Sequence, residues 1–206
     1  MSSDASAFHP VLEAIPKIRD SEGLLTEPFL DCCRAFIPVV EKLGTGCYPV
    51  KADMNGNIER LAARFAEDQA EYKHLFNIVK KEIESGKQED NAGCTKGLLW
   101  LKRAMDFVLH TLAALEKNAE TSLVEAAGAA YKEVLEPFHG WVTYGAFQVA
   151  LKILPSREGF FEAIGGERTV MLEEMGQFEH DKGLAPVLAD IHVFLESSGC
   201  NFPDKV

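Results

Sequence analysis

Apolar residues recur at intervals of three and four along nearly the whole chain, which is the period of a helix with one buried face. A first unit, about residues 5 to 20, carries Phe8, Val11, Leu12, Ile15 and Ile18, with interruptions at Pro10 and Pro16. A second starts at Thr26, where threonine can cap and Pro28 falls in a first turn that needs no donor from it. It runs through Phe29, Leu30, Phe36, Val39, Val40 and Leu43, with a kink expected at Pro38 and a stop at Gly44. Residues 45 to 50 read as a loop, and helical spacing resumes near Asp53 and continues through Ile58, Leu61 and Phe65. The spacing of Tyr72, Leu75, Phe76, Val79 and Ile83 predicts a helix over 69 to 84, followed by a polar stretch from Ser85 to Gly93. From Cys94 to Leu115 the pattern is apolar on more than half its circumference, so both sides should be covered by other helices. Two further units, 121 to 135 and 138 to 154, divide at Pro137. A short segment to Ile164, a Gly165-Gly166 break and a helical region from 167 to 196, interrupted at Pro186, complete the chain. No alternating hairpin pattern and no repeat of 30 to 45 residues is visible. The expectation is one all-α domain over residues 1–206 with about eight helices.

Composition narrows the function more than the fold. At 206 residues and 47% hydrophobic, the chain can build one substantial core and is not a disordered acidic tail. A net charge of -11 repels nucleic acid. No apolar run approaches the roughly 20 residues that cross a bilayer, and no basic-then-apolar signal segment opens the chain. Five cysteines at 32, 33, 47, 94 and 200 form no CxxC pair, which suits a reducing compartment rather than a disulfide scaffold. Phosphate-loop, dinucleotide, nucleophile-elbow and HExxH patterns are missing, and no pair among the six histidines has ligand spacing with a nearby cysteine. The run Asp53-Met54-Asn55-Gly56-Asn57 fails as a calcium loop, because glycine stands fourth rather than sixth and Arg64 takes the place of the bidentate glutamate. Neither a catalytic constellation, a metal nor a cofactor is expected.

Three segments carry chemistry of another kind. In a helix, Asp53, Asn57 and Arg60 fall at i, i+4 and i+7, which puts a carboxylate, an amide and a guanidinium on one face. Such a set suits a neutral polyol, whose hydroxyls both donate and accept. The other reading is a solvated face with an ion pair. Gly56 lies within the trio, costs helix stability, and leaves room beside the backbone. In the run from Trp100 to Phe107, Trp100 is either core or an aromatic platform for the apolar face of a sugar. In Pro137-Phe138-His139-Gly140-Trp141, His139 sits near a bend where a ring nitrogen can hold a ligand, and Trp141 suits a membrane interface. Thirteen phenylalanines pack a solid core or line an apolar cavity equally well.

Taken together, K51ADMNGNIERL61, W100LKRAMDF107 and F138HGW141, in this order and spacing and with the Lys205-Val206 ending, resemble the glycolipid transfer protein family. The resemblance implies a two-layer sandwich of about eight helices that encloses lipid chains in a tunnel and leaves the headgroup in a surface site. It implies that Asp53 and Asn57 hydrogen-bond the first sugar, with Arg60 where glycolipid-binding members have lysine. Trp100 would lie under the sugar, and His139 would hold the ceramide amide oxygen while Asp53 takes the amide hydrogen. Phe107 and Phe147 would line the tunnel, Val39 and Val40 would replace two phenylalanines that help close it, and Trp141 would touch the membrane. Ceramide-1-phosphate carriers have lysine and arginine where this chain has Asn57 and Trp100, so the resemblance favours a sugar headgroup. Phe202 stands where glycolipid-binding members have a tyrosine. The implied protein is a cytoplasmic, non-enzymatic carrier of glycosphingolipids that visits membranes transiently. The alternatives are a ceramide-1-phosphate carrier using Arg60 and Arg103, or a glycolipid sensor acting through a protein partner whose identity the sequence leaves open.

Overall fold

The computed structural model describes residues 5–203 and 205; Asp204 and Val206, half of the Lys-Val ending, lie outside the described residues. Ten α-helices are present among them: α1 His9–Ala14, α2 Thr26–Lys42, α3 Tyr48–Glu67, α4 Leu75–Glu84, α5 Cys94–Lys117, α6 Leu123–Val134, α7 Trp141–Leu151, α8 Arg157–Ile164, α9 Arg168–Gln177 and α10 Leu184–Ser197. They pack as a single two-layer, all-α domain.

The expected breadth of the apolar surface on α5 is realised. Leu98, Leu101, Phe107, Val108 and Leu112 are all buried, because α3, α4, α6, α9 and α10 surround this helix. Helix α2 buries Phe29, Leu30, Phe36, Val39 and Val40 and runs on through Pro38 to Lys42. Phe36 and Phe8 meet Phe178 edge to face at 6.1 and 5.7 Å, which joins α2, the N-terminal arm and the segment after α9. Each such side chain, fully buried, contributes about 1.5–3 kcal/mol. Ser122 and Glu125 form a reciprocal capping box that starts α6: Glu125 N–H donates to Ser122 Oγ at 3.2 Å and Ser122 N–H to Glu125 Oε2 at 2.9 Å.

Three boundaries differ from the sequence reading, each for a local reason. The expected loop at 45–50 is a 3₁₀ turn, Thr45–Cys47, running directly into α3, whose second residue is Pro49, a position that needs no amide donor. The expected helix over 69–84 begins only at Leu75, because the backbone of 73–75 is bonded to 24–26: Leu75 N–H donates to Leu24 O at 2.8 Å and Thr26 N–H to Lys73 O at 2.9 Å. The break in 167–196 falls after Phe178 rather than at Pro186, which sits harmlessly in the first turn of α10. Gly183 makes that break possible, since a Cβ there would lie 2.3 Å from Phe178 O.

Helix α7 is the exception to the packing. It has no fully buried residue, and it is anchored mainly at its C-terminal end, where Gly46 lets the carbonyl of Ala150 approach to within 2.5 Å of where a Cβ would stand.

Candidate functional site

Helices α3, α5 and α7 and the turn before α7 line a cavity of about 390 Å³, mostly apolar with a few polar side chains. Asp53, Trp100, His139 and Thr143 line it, together with Pro49, Val50, Ala104, Leu135, Ala146, Phe147 and Ala150. The i, i+4 spacing on α3 brings Asn57 Nδ2 to 3.1 Å from Asp53 Oδ2, so the amide donates to the carboxylate and fixes its orientation. Asp53 is open to solvent on one side, yet the surrounding protein displaces enough water to raise its carboxyl pKa, against the opposing pull of Asn57 and Arg60.

The ring of Trp100 is partly exposed and nearly parallel to His139, with centroids 5.9 Å apart and planes 21° apart. Behind it lies Arg103, whose guanidinium carbon is 5.0 Å from the Trp100 ring centre and 3.4 Å from that of Phe138. Arg103 Nη2 donates to Asn201 Oδ1 at 3.1 Å and to Phe202 O at 2.7 Å, tying the C-terminal segment across the back of the platform. This buried cation thus supports the indole. Phe202 itself is partly buried, with Lys96 Nζ 4.3 Å from its ring centre, so the position packs as an aromatic without a hydroxyl.

His139 is held by Tyr131, whose Oη lies 3.1 Å from Nδ1. Desolvation, reinforced by the nearby Arg103 charge, lowers the His139 pKa and keeps the ring neutral. The Tyr131 ring stacks on Phe147 with centroids 3.7 Å apart, and Phe147 meets Phe107 edge to face at 5.6 Å. Phe147 therefore forms the cavity wall directly, and the buried Phe107 backs it. Val39 and Val40 are fully buried in α2, away from the lining of this cavity.

Arg60 lies beside Asn57 but does not line the cavity, because its guanidinium is taken up by backbone carbonyls. Its Nη1 donates to Asn91 O at 3.3 Å and Gly93 O at 3.1 Å, holding the loop before α5 against α3. The glycine that makes room beside this face is Gly97 on α5. A Cβ there would stand 3.3 Å from Arg60 Cδ and 3.5 Å from Asn57 Oδ1, whereas nothing lies within 4 Å of one at Gly56. Tyr131, Gly97 and the supporting role of Arg103 are absent from the sequence reading, and no local signal marks them. At the start of α7 Trp141 is 86% exposed and is followed by the exposed Val142, so an apolar end of the helix projects into solvent.

Residues 24–166 match the family model described as Glycolipid transfer protein (GLTP), a span from the start of α2 through α8 that contains every residue lining the cavity. The chain belongs to the glycolipid transfer protein family. It is 36% identical to glycolipid transfer protein 1 of Arabidopsis thaliana over 197 residues, covering 95% of this chain and 96% of that one. The solved structure showing how FAPP2 selects simple glycosphingolipids is 28% identical, with a TM-score of 0.82 over 100% of this chain and 98% of that one. Arabidopsis ACD11, solved as a mutant complexed with ceramide-1-phosphate, superposes with a TM-score of 0.86 over 98% of this chain and 100% of that one, but at 18% identity it speaks for the fold alone. Membership of the GLTP family makes this protein a non-enzymatic carrier that moves lipid between membranes outside vesicles. No helix among the described residues is long and apolar enough to cross a membrane.

Proposed function

We propose that the cargo is a glycosphingolipid whose neutral sugar stacks on Trp100 and hydrogen-bonds to Asp53 and Asn57. The observation that carries this reading is the division of labour among the polar residues in and around the cavity. The partly exposed Trp100 and the Asp53 carboxylate, oriented by the buried Asn57 amide, line the cavity, while Arg60 and Arg103 direct guanidinium donors at backbone carbonyls. A phosphate is recognised by charged donors aimed at it, whereas a sugar asks for a flat apolar face and mixed donors and acceptors. A sequence relative that covers 95% of the chain is a glycolipid transfer protein, which points the same way.

In this reading His139 donates to the ceramide amide oxygen and Asp53 accepts the amide hydrogen. The hydrocarbon chains enter along Phe147 toward Phe107, and α7 yields to extend the cavity toward Val39 and Val40. Trp141 contacts the membrane during loading and release, and the protein works from the cytoplasm. Transfer between vesicles, measured for glucosyl- or galactosylceramide against ceramide-1-phosphate, tests the headgroup. The sugar lipid is expected to move faster, and Asn57→Lys with Trp100→Arg should reverse the preference by removing the platform and adding two charges. Faster transfer of the phosphate lipid by the unaltered protein would establish the phosphosphingolipid reading instead. Tight glycolipid binding with negligible transfer would favour a sensor.

A further inference from the structure

Far in sequence from the lipid site, the N-terminal arm folds back on itself and meets the start of α4. Glu22 N–H and Gly23 N–H donate to Asp20 Oδ1 at 2.8 and 3.1 Å, and Leu25 N–H donates to Ile18 O at 2.7 Å. Backbone bonds between 24–26 and 73–75 then fix this turn against His74. His74 Nε2 comes to rest 3.1 and 3.3 Å from the two carboxylate oxygens of Asp20 and 3.7 Å from Glu22 Oε2. One donor atom from each of the three residues lies within 4.8 Å of the others.

We propose that Asp20, Glu22 and His74 form a binding site for a divalent transition metal, with zinc the best chemical match. Zinc–nitrogen and zinc–oxygen bonds of about 2.0–2.2 Å set the edge of a tetrahedron at about 3.3–3.6 Å, and the imidazole nitrogen stands close to that, 3.3 Å from Asp20 Oδ2 and 3.7 Å from Glu22 Oε2. One imidazole and two carboxylates suit zinc better than calcium or magnesium, which prefer six or more oxygens. The side chain of His74 is only 19% exposed, so the ring is held by packing while its Nε2 faces the acids. Lys73 is the built-in competitor, with Nζ 3.0 Å from Asp20 Oδ2, and a bound ion would displace it. The fourth position would be left to water. None of these residues lines the lipid cavity, so the ion would clamp the arm to α4 without entering transfer.

The test is a titration of the full chain with zinc against a chromophoric chelator, together with thermal unfolding with and without zinc. One equivalent is expected to bind and to raise Tm. His74→Gln should weaken binding by about tenfold or more, since even outer partners of metal ligands are worth about 10–100-fold. Glu22→Gln, on an exposed side chain that the fold does not need, should weaken it as well. Lys73→Gln should tighten binding about two- to fivefold by removing a weak competing ion pair. No binding, binding indifferent to His74→Gln and Glu22→Gln, or weaker binding in Lys73→Gln would each overturn the site.

Discussion

Replacing Tyr131 by phenylalanine isolates one proton in the proposed lipid site. The tyrosine is 1% exposed and stacks on Phe147 with centroids 3.7 Å apart and planes 10° apart, so phenylalanine keeps the volume and the stacking. Only the contact from Oη to His139 Nδ1, at 3.1 Å, is lost. Burial pushes the phenol pKa up to about 12, so Tyr131 keeps its proton, and the lowered pKa of His139 leaves the imidazole with one. A buried hydroxyl must place its hydrogen on an acceptor, and His139 Nδ1 is the polar partner in reach. Tyr131 is therefore expected to donate and Nε2 to carry the imidazole hydrogen, and under the proposed function that N–H is the donor a lipid amide oxygen would meet. Removing the phenol forfeits about 1 kcal/mol of net hydrogen bonding and frees the ring to divide between tautomers. A total of about 1–2 kcal/mol corresponds to a roughly 5–30-fold loss of glycolipid affinity. Nitrogen-detected NMR of the imidazole, with the transfer rate between vesicles, reads both halves. A folded Tyr131→Phe protein with unaltered affinity, or an Nδ1–H tautomer in the unaltered protein, would refute the reasoning.

Asp53→Val should leave the helical circular dichroism intact and remove most glycolipid transfer, because Asn57 loses its acceptor and each buried donor left unpaired costs about 1–3 kcal/mol; normal transfer would sink the assignment. Gly97→Ala should separate stability from function. The helix gains about 0.5–1 kcal/mol, while the new methyl crowds Arg60 and Asn57. The expected result is a Tm unchanged or slightly raised with transfer lowered about tenfold, the effect of about 1.4 kcal/mol at the headgroup; unimpaired transfer would show that this packing does not shape the site. Trp141→Ala should lower vesicle adsorption and transfer more than affinity for a soluble short-chain glycolipid, since the side chain is 86% exposed and outside the lipid cavity. Equal losses in all three measurements would remove it from the docking face.

The helices were legible because their signal is local. A buried face repeats every three to four residues whatever it packs against, so α2, α5 and α6 stand close to where the apolar spacing puts them. The pairing of Asp53 with Asn57 was legible for the same reason, being one helical turn apart. Pro186 misled because proline breaks a helix interior but not a first turn, and only the packing of Gly183 against Phe178 shows which of these it occupies. Arg60 offered one face to sequence reasoning, but its donors turn toward Asn91 and Gly93, in a loop distant along the chain that periodicity cannot position. Arg103 depends in the same way on a segment from the far end of the chain, and Tyr131 on a bend that returns His139 to it. The chain's own pattern determined which residues make helices and which faces they bury. The tertiary structure alone decided which polar side chains face the cavity and which support it, because a hydrogen bond needs its partner within about 3 Å, and for residues far apart in sequence that distance is set by how the layers pack.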